Sequence, residues 1–103
     1  MVQLVKRKRL DILVDGPLAN WLAGAAEAAG IPHHTFLPVL SGRGRTGSWR
    51  DEDVSGAVAK RMFVAVAKED QVSALVDAIA PHLDDYGLVV VISDVEVVRS
   101  ERF

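Results

Sequence analysis

The feature that most constrains this 103-residue chain is the order of its apolar stretches, which form two strand, helix, strand units separated by a long polar segment rich in glycine and arginine. The first unit begins with Leu10, Asp11, Ile12, Leu13 and Val14, a short apolar run stopped by Asp15, Gly16 and Pro17. That pattern reads as a buried strand closed by turn chemistry. Pro17 suits the first turn of a helix, and Leu18, Trp21, Leu22, Ala25, Ala28 and Ala29 then recur as an amphipathic stripe that Gly30 and Pro32 end. Residues 33–40 supply a second strand, in which Pro38 predicts an edge position because it cannot donate to a ladder.

The second unit opens at residues 57–67, where Met62, Val64 and Val66 alternate with Phe63, Ala65 and Ala67, apolar on both faces as an inner strand requires. Glu69 and Asp70 place negative charge in a first helical turn, Val72, Leu75, Val76 and Ile79 mark one helix face, and Pro81 ends it. After Asp84, Asp85, Tyr86 and Gly87, residues 88–92 form a last strand, followed by a tail with Val95, Val97 and Val98. The order predicts an α+β fold, a ferredoxin-like βαββαβ sandwich with a four-stranded antiparallel sheet and both helices on one face, built from residues 1–103 as a single domain. Strands that are apolar on both faces leave a patch larger than a monomer tolerates, so a homo-oligomer is expected.

The composition excludes several classes. With no Cys, the chain has no disulfide, thiolate zinc site, iron–sulfur cluster or Cys nucleophile, which fits a cytoplasmic protein. No apolar run approaches a membrane span, and the basic start lacks a signal-type segment. The net charge is −2, but residues 1–50 carry +4 and residues 51–103 carry −6, so the halves can complement each other. Lys6, Arg7, Lys8 and Arg9 have no interleaved aromatics and read as a solvated strand or arm, and no nucleic-acid partner is expected.

The segment 41–56 holds Gly42, Gly44, Gly47 and Gly56, three arginines (Arg43, Arg45 and Arg50), the acids Asp51, Glu52 and Asp53, and Trp49. Structureless loops of more than about 12–15 residues in compact domains are usually functional or disordered. Gly42, Gly44 and Gly47 spell G-x-G-x-x-G, but residues 48–55 are polar and acidic where the dinucleotide fingerprint needs an apolar helix. What survives is simpler: glycines let backbone N–H groups turn inward as an anion nest, and a neighbouring arginine supplies a planar fork for phosphate or carboxylate. The plain alternative is a solvated hairpin tip. Trp49 is either an interface anchor or folded back on its own scaffold, and the acids either pair with the loop arginines or serve solubility.

Other candidates are weaker. His33 and His34 are adjacent, so on a strand they point to opposite faces and cannot easily share one ion, and His82 is distant in sequence. Ser41, Thr46, Ser48 and Ser55 have no His near them in sequence, so no nucleophile and base pair can be argued and no enzymatic activity is expected.

Gly42, Arg43, Gly44 and Arg45, in a long loop between strands two and three of such a domain, resemble the base of the T-loop in the PII signal-transduction family, nitrogen regulatory protein P-II and its relatives. The resemblance covers nearly the whole chain in element order. It implies a homotrimer whose sheets pack into a central barrel, an adenine nucleotide in each cleft between subunits, and a T-loop, here about residues 41–56, that engages a transporter or enzyme. It also implies roles. Gly42, Gly44 and Arg45 match the T-loop base, Arg43, Thr46 and Gly47 complete the nucleotide and anion set, and Arg99 matches a C-terminal arginine that reaches the phosphates, with Arg102 as a second contact. Trp49 and Arg50 would face the partner.

Two departures from the family pattern narrow the reading. Thr46 stands where the family uses Gln to hold Mg-ATP and 2-oxoglutarate, and no tyrosine stands in the loop for uridylylation. The turn before the last strand is Asp84, Asp85, Tyr86 and Gly87 instead of a glycine- and lysine-rich phosphate loop, and two carboxylates there would repel a triphosphate. These changes resemble the divergent PII-like branch, with its carboxysome-associated and bicarbonate-transporter-associated members, which implies ADP or AMP as ligand in preference to ATP, and bicarbonate beside it. The alternative is a CutA-like trimeric module for divalent-metal tolerance, without nucleotide and with the histidines as ligands.

Overall fold

The computed structural model describes residues 2–44, 47–50 and 59–98. Strand β1 (Val5–Asp15) leads through a 3-10 turn at Gly16–Leu18 into helix α1 (Ala19–Ala28), and strand β2 (Thr35–Pro38) follows. Two short strands, β3 (Ser41–Gly44) and β4 (Gly47–Arg50), precede β5 (Lys60–Ala67), helix α2 (Glu69–Ile79), a second 3-10 turn at Ala80–His82, and strand β6 (Val89–Val97). The main sheet has the order β2-β5-β1-β6 with every neighbour antiparallel, and β3 pairs with β4 in a separate two-stranded ribbon. This is the ferredoxin-like arrangement, with β5 inside and β2, carrying Pro38, at the edge.

Side-chain alternation on β1 builds the core. Leu10, Ile12 and Val14 are buried on one face, Leu10 opposite Ala65 and Ile12 opposite Phe63 of β5, and they share one core with Ala67 of that strand, Leu22 and Ala26 of α1, and Val72, Leu75 and Ile79 of α2. Small alanines on both layers let the helices approach the sheet closely. The end of α1 is fixed by a Schellman motif: Ile31 N–H donates to the Ala26 carbonyl at 2.9 Å and Gly30 N–H to the Glu27 carbonyl at 3.0 Å. Gly30 takes φ +86° there, a left-handed conformation that a Cβ would strain, and buried Ile31 seals the motif against the core. Gln71 ties the two helices together, accepting from Lys68 N–H at the start of α2 and donating to the Gly30 carbonyl at 2.9 Å.

Two strands run further than their apolar residues indicate. β1 reaches back to Val5, and β6 continues without interruption to Val97, because the two pair along their whole polar ends: Lys6 stands opposite Glu96, Arg7 opposite Val95 and Lys8 opposite Asp94. Lys8 and Asp94 form an ion pair, so the basic start and the acidic second half meet in one ladder. The Asp94 side chain, hydrogen-bonded to Lys8, holds its proton less tightly than an ordinary aspartate, and the Lys8 ammonium, bonded to Asp94, holds its proton more tightly than an ordinary lysine.

The face of the sheet turned away from the helices is apolar and open. Register aligns Leu37, Met62, Leu13 and Val89 in one row across all four strands, and Thr35, Val64, Asp11 and Val91 in the next. Val89, Val91 and Leu37 are about half exposed. Charge enters this face as pairs: Asp11 is bridged by Arg9 two residues earlier on the same face, through contacts of 3.1–3.3 Å. Among the described residues no helix is long and apolar enough to cross a membrane.

Candidate functional site

The ends of three strands, the β3–β4 ribbon and the turn before β6 converge on a cleft of about 300 Å³. It is lined by Leu13 of β1, Lys60 at the start of β5, Val89 at the start of β6, Gly44 and Trp49 of the ribbon, and Leu83, Asp84, Gly87 and Leu88 from the segment before β6. Because Leu13 and Val89 also belong to the open apolar row, the cleft is continuous with that face. Other hollows along β6 are lined by Lys6, Asp94 and Glu96, or by Lys8, Glu69 and Asp77. The first draws on β1 and β6, the second on β1, α2 and β6, and neither is lined by described residues of the ribbon or of the turn before β6.

Trp49 shapes the ribbon wall. It stands opposite Gly42 in the β3–β4 ladder, and its ring covers Gly42 and Gly44 so closely that a Cβ on residue 44 would lie 3.2 Å from Trp49 Cζ3. Trp49 is thus folded back on its own scaffold. Gly42 and Gly44 lie extended in β3 and serve this close approach, so they do not form the anion nest expected from their spacing. Gly47 alone of the described ribbon glycines has a positive φ, +127°, where the ribbon turns. Arg43 is exposed and donates through Nε to Ser48 Oγ at 3.4 Å.

Lys60 supplies the positive charge of the cleft. Its Nζ lies 2.6 Å from Asp15 Oδ1 and 4.8 Å from the centre of a Trp49 ring, an ion pair and a cation–π contact on one ammonium. Asp84 adds a second carboxylate to the lining of the cleft. The Trp49 Nε1 is buried without a hydrogen-bond partner among the described residues. Lys60 did not stand out in the sequence because its position is defined only by pairing: it faces Asp15 across the β1–β5 ladder, 45 residues away.

The remaining sequence candidates divide. Gly42, Gly44, Gly47 and Trp49 are brought together in the ribbon, with Gly44 and Trp49 on the cleft and Arg43 beside it. Arg50 closes the ladder opposite Ser41. Arg45, Thr46, Asp51, Glu52, Asp53, Arg99 and Arg102 lie outside the described residues. His34 packs away from the cleft, stacked on Phe63 with ring centres 5.3 Å apart and edge-on to Phe36. His82 stacks on Tyr86 at 4.7 Å beside Trp21. Among the described residues no three His, Asp or Glu side chains gather as a metal ion would require.

The sequence pattern of nitrogen regulatory protein P-II matches residues 7–102. No curated protein sequence matches the chain. Among solved structures, CPII from Thiomonas intermedia K12, a nitrogen regulatory PII-like protein bound to ADP, AMP and bicarbonate, superposes with a TM-score of 0.93 at 25% identity, covering 100% of this chain and 98% of the other. CPII bound to ADP and bicarbonate gives a TM-score of 0.88 at 26% identity, with 100% and 99% covered. CutA from Synechococcus elongatus PCC7942 shares the fold alone, at 15% identity and a TM-score of 0.67, with 97% and 93% covered. A family match over nearly all of the chain, agreeing with the ferredoxin-like sheet and the cleft at the foot of the ribbon, establishes that this chain belongs to the P-II family, in its divergent PII-like branch.

Proposed function

We propose that this protein is a PII-like regulator that binds ADP or AMP, with bicarbonate beside it, in the cleft between the ribbon and the turn before β6, and passes that state to a transporter or enzyme through the 41–56 segment. The observation that carries the reading is the position of the cleft. It lies at the foot of the ribbon, holds the Lys60 ammonium, and opens onto the apolar sheet face. The ligands of CPII, which covers the whole chain at 25% identity, support the choice of nucleotide and bicarbonate. The open rows of Leu13, Met62, Val89 and Val91 support a homotrimer in which a second copy closes the cleft.

On this reading the guanidinium of Arg45 and those of Arg99 and Arg102 take the phosphates, and the ligand acts by population shift, favouring one ribbon state through contacts the others lack. Calorimetric titration with AMP, ADP, ATP and cyclic AMP, each with and without bicarbonate, is the test. ADP or AMP is expected to bind, and Arg45→Ala is expected to weaken binding. Absence of heat with every nucleotide would remove the reading.

A further inference from the structure

Lys60 and Trp49 form an arrangement in the cleft that reaches beyond nucleotide binding itself. The Lys60 side chain, only 20% exposed, has two partners: Asp15 at 2.6 Å and the Trp49 ring at 4.8 Å. Each contact is weak where solvent still reaches, whereas a phosphate or carboxylate in the same cleft offers the ammonium a charged acceptor of higher strength. The ring that shares Lys60 is the one seated on Gly42 and Gly44. Its Nε1–H is buried with no acceptor among the described residues, an arrangement that a shift of the ring or an arriving acceptor would complete. One side chain therefore touches both the charge that meets an anion and the backbone of the ribbon.

We propose that Trp49 is the positioning residue of the cleft: seated on Gly42 and Gly44, it holds Lys60 against Asp15, and an anionic ligand that draws Lys60 away signals its presence to the β3–β4 ribbon through the indole. The inference rests on the nucleotide reading above, and its ligand class is a phosphate or carboxylate anion. The glycines are then a seat for the sensor ring, which explains why two small residues are needed where a hairpin strand would otherwise take β-branched ones.

The experiment follows Trp49 directly. Trp21, the second tryptophan, packs against Tyr86 with ring centres 4.9 Å apart, so Trp21→Phe leaves Trp49 as the sole indole. In that protein, ADP and bicarbonate are titrated separately while emission, acrylamide quenching and calorimetric heat are recorded. Binding is expected to change the emission maximum and raise the quenching constant, and Lys60→Gln is expected to abolish both optical changes. Because the indole competes with the ligand for Lys60, Trp49→Ala should tighten ADP binding several-fold, with Trp49→Phe close to the wild type, since a phenyl face still receives an ammonium. If Trp21→Phe does not fold, fluorine NMR of the wild-type chain labelled with 5-fluorotryptophan gives the same readout at its two tryptophans. Calorimetric binding with an unchanged Trp49 signal overturns this inference and leaves the nucleotide reading standing; absence of heat with either ligand removes both.

Discussion

Trp49 lies across its ladder partner Gly42 so tightly that a Cβ added at residue 42 would come within 2.9 Å of Trp49 Cε2 and Cη2, a separation that packed side chains do not tolerate. Gly42→Ala must therefore push the indole off the ribbon or open the ladder. Overpacking of this kind costs about 1–3 kcal/mol, and the cost falls on the ribbon because the atoms a Cβ would meet first belong to Trp49. Amide exchange is expected to speed at Ser48 and Trp49 while the β1 amides keep their protection. Adding Trp49→Ala removes the clash and should restore much of the lost protection.

The core makes a contrasting prediction. Phe63 is fully buried between the sheet and the helices, with His34 stacked on it and Phe36 edge-on at 5.6 Å. Phe63→Ala is expected to cost about 3–5 kcal/mol, the range for deleting a buried ring, and to lower the denaturant midpoint of the whole domain. A loss below about 1 kcal/mol would mean that the layers collapse around the gap.

The open sheet face predicts association. Val91 stands about half exposed beside Asp11, in a row that is apolar at Val64 and polar at Thr35 and Asp11. If a second copy covers this face, Val91→Lys buries an ammonium in the interface, beside an Asp11 carboxylate that Arg9 already occupies, and should dissociate the assembly, while costing little in a monomer where the position faces water. Light scattering of the wild type is expected to give a trimeric mass and Val91→Lys a monomeric one; identical masses for the two would place the interface elsewhere.

Much of the fold was legible because burial writes periodicity into sequence. Leu10, Ile12 and Val14 alternate as they must on a strand with one buried face, and Phe63, Ala65 and Ala67 answer them on β5. Pro38 marked the edge strand correctly. The ends were hidden where charge pairing, not burial, extends the ladder: Lys6, Lys8, Asp94 and Glu96 carry no apolar signal, and only their register shows that the basic and acidic halves neutralise each other. The site was half legible. Glycine and arginine in one segment pointed to the ribbon, but the reason for Gly42 is Trp49, and the cation on the cleft, Lys60, becomes visible only once Asp15 lies across from it.

The Lys8 and Asp94 pair gives a pH dependence with a defined sign. The hydrogen bond and charge of Lys8 lower the Asp94 pKa, so the pair stabilises the fold above the range in which an unfolded aspartate titrates, and this contribution is lost as pH falls through the depressed folded value. Lys8, raised by the same partner, keeps its contribution below the ordinary lysine range and loses it as pH climbs through the raised value. The Asp94 carboxyl carbon, followed by NMR, is expected to titrate at lower pH than that of an unpaired aspartate, to move toward the ordinary value in Lys8→Met, and to do so also at high salt, because the pair is exposed.

Asp84 makes the last prediction, which concerns ligand choice. Its place on the lining of the cleft that holds Lys60 adds a carboxylate to the Lys60–Asp15 pair, so added phosphate charge meets attraction from the ammonium and repulsion from Asp84. A longer phosphate chain carries more charge toward Asp84 without any further described cation to receive it. Asp84→Asn keeps the shape and removes the repulsion, so ATP is expected to gain several-fold in affinity relative to ADP, while AMP changes least. At the roughly 10 Å Debye length of 0.1 M salt the effect survives, since the groups share one cleft. Calorimetry with the three nucleotides on wild type and variant checks it, and a uniform change in all three affinities would show that Asp84 acts on the shape of the turn and not on phosphate charge.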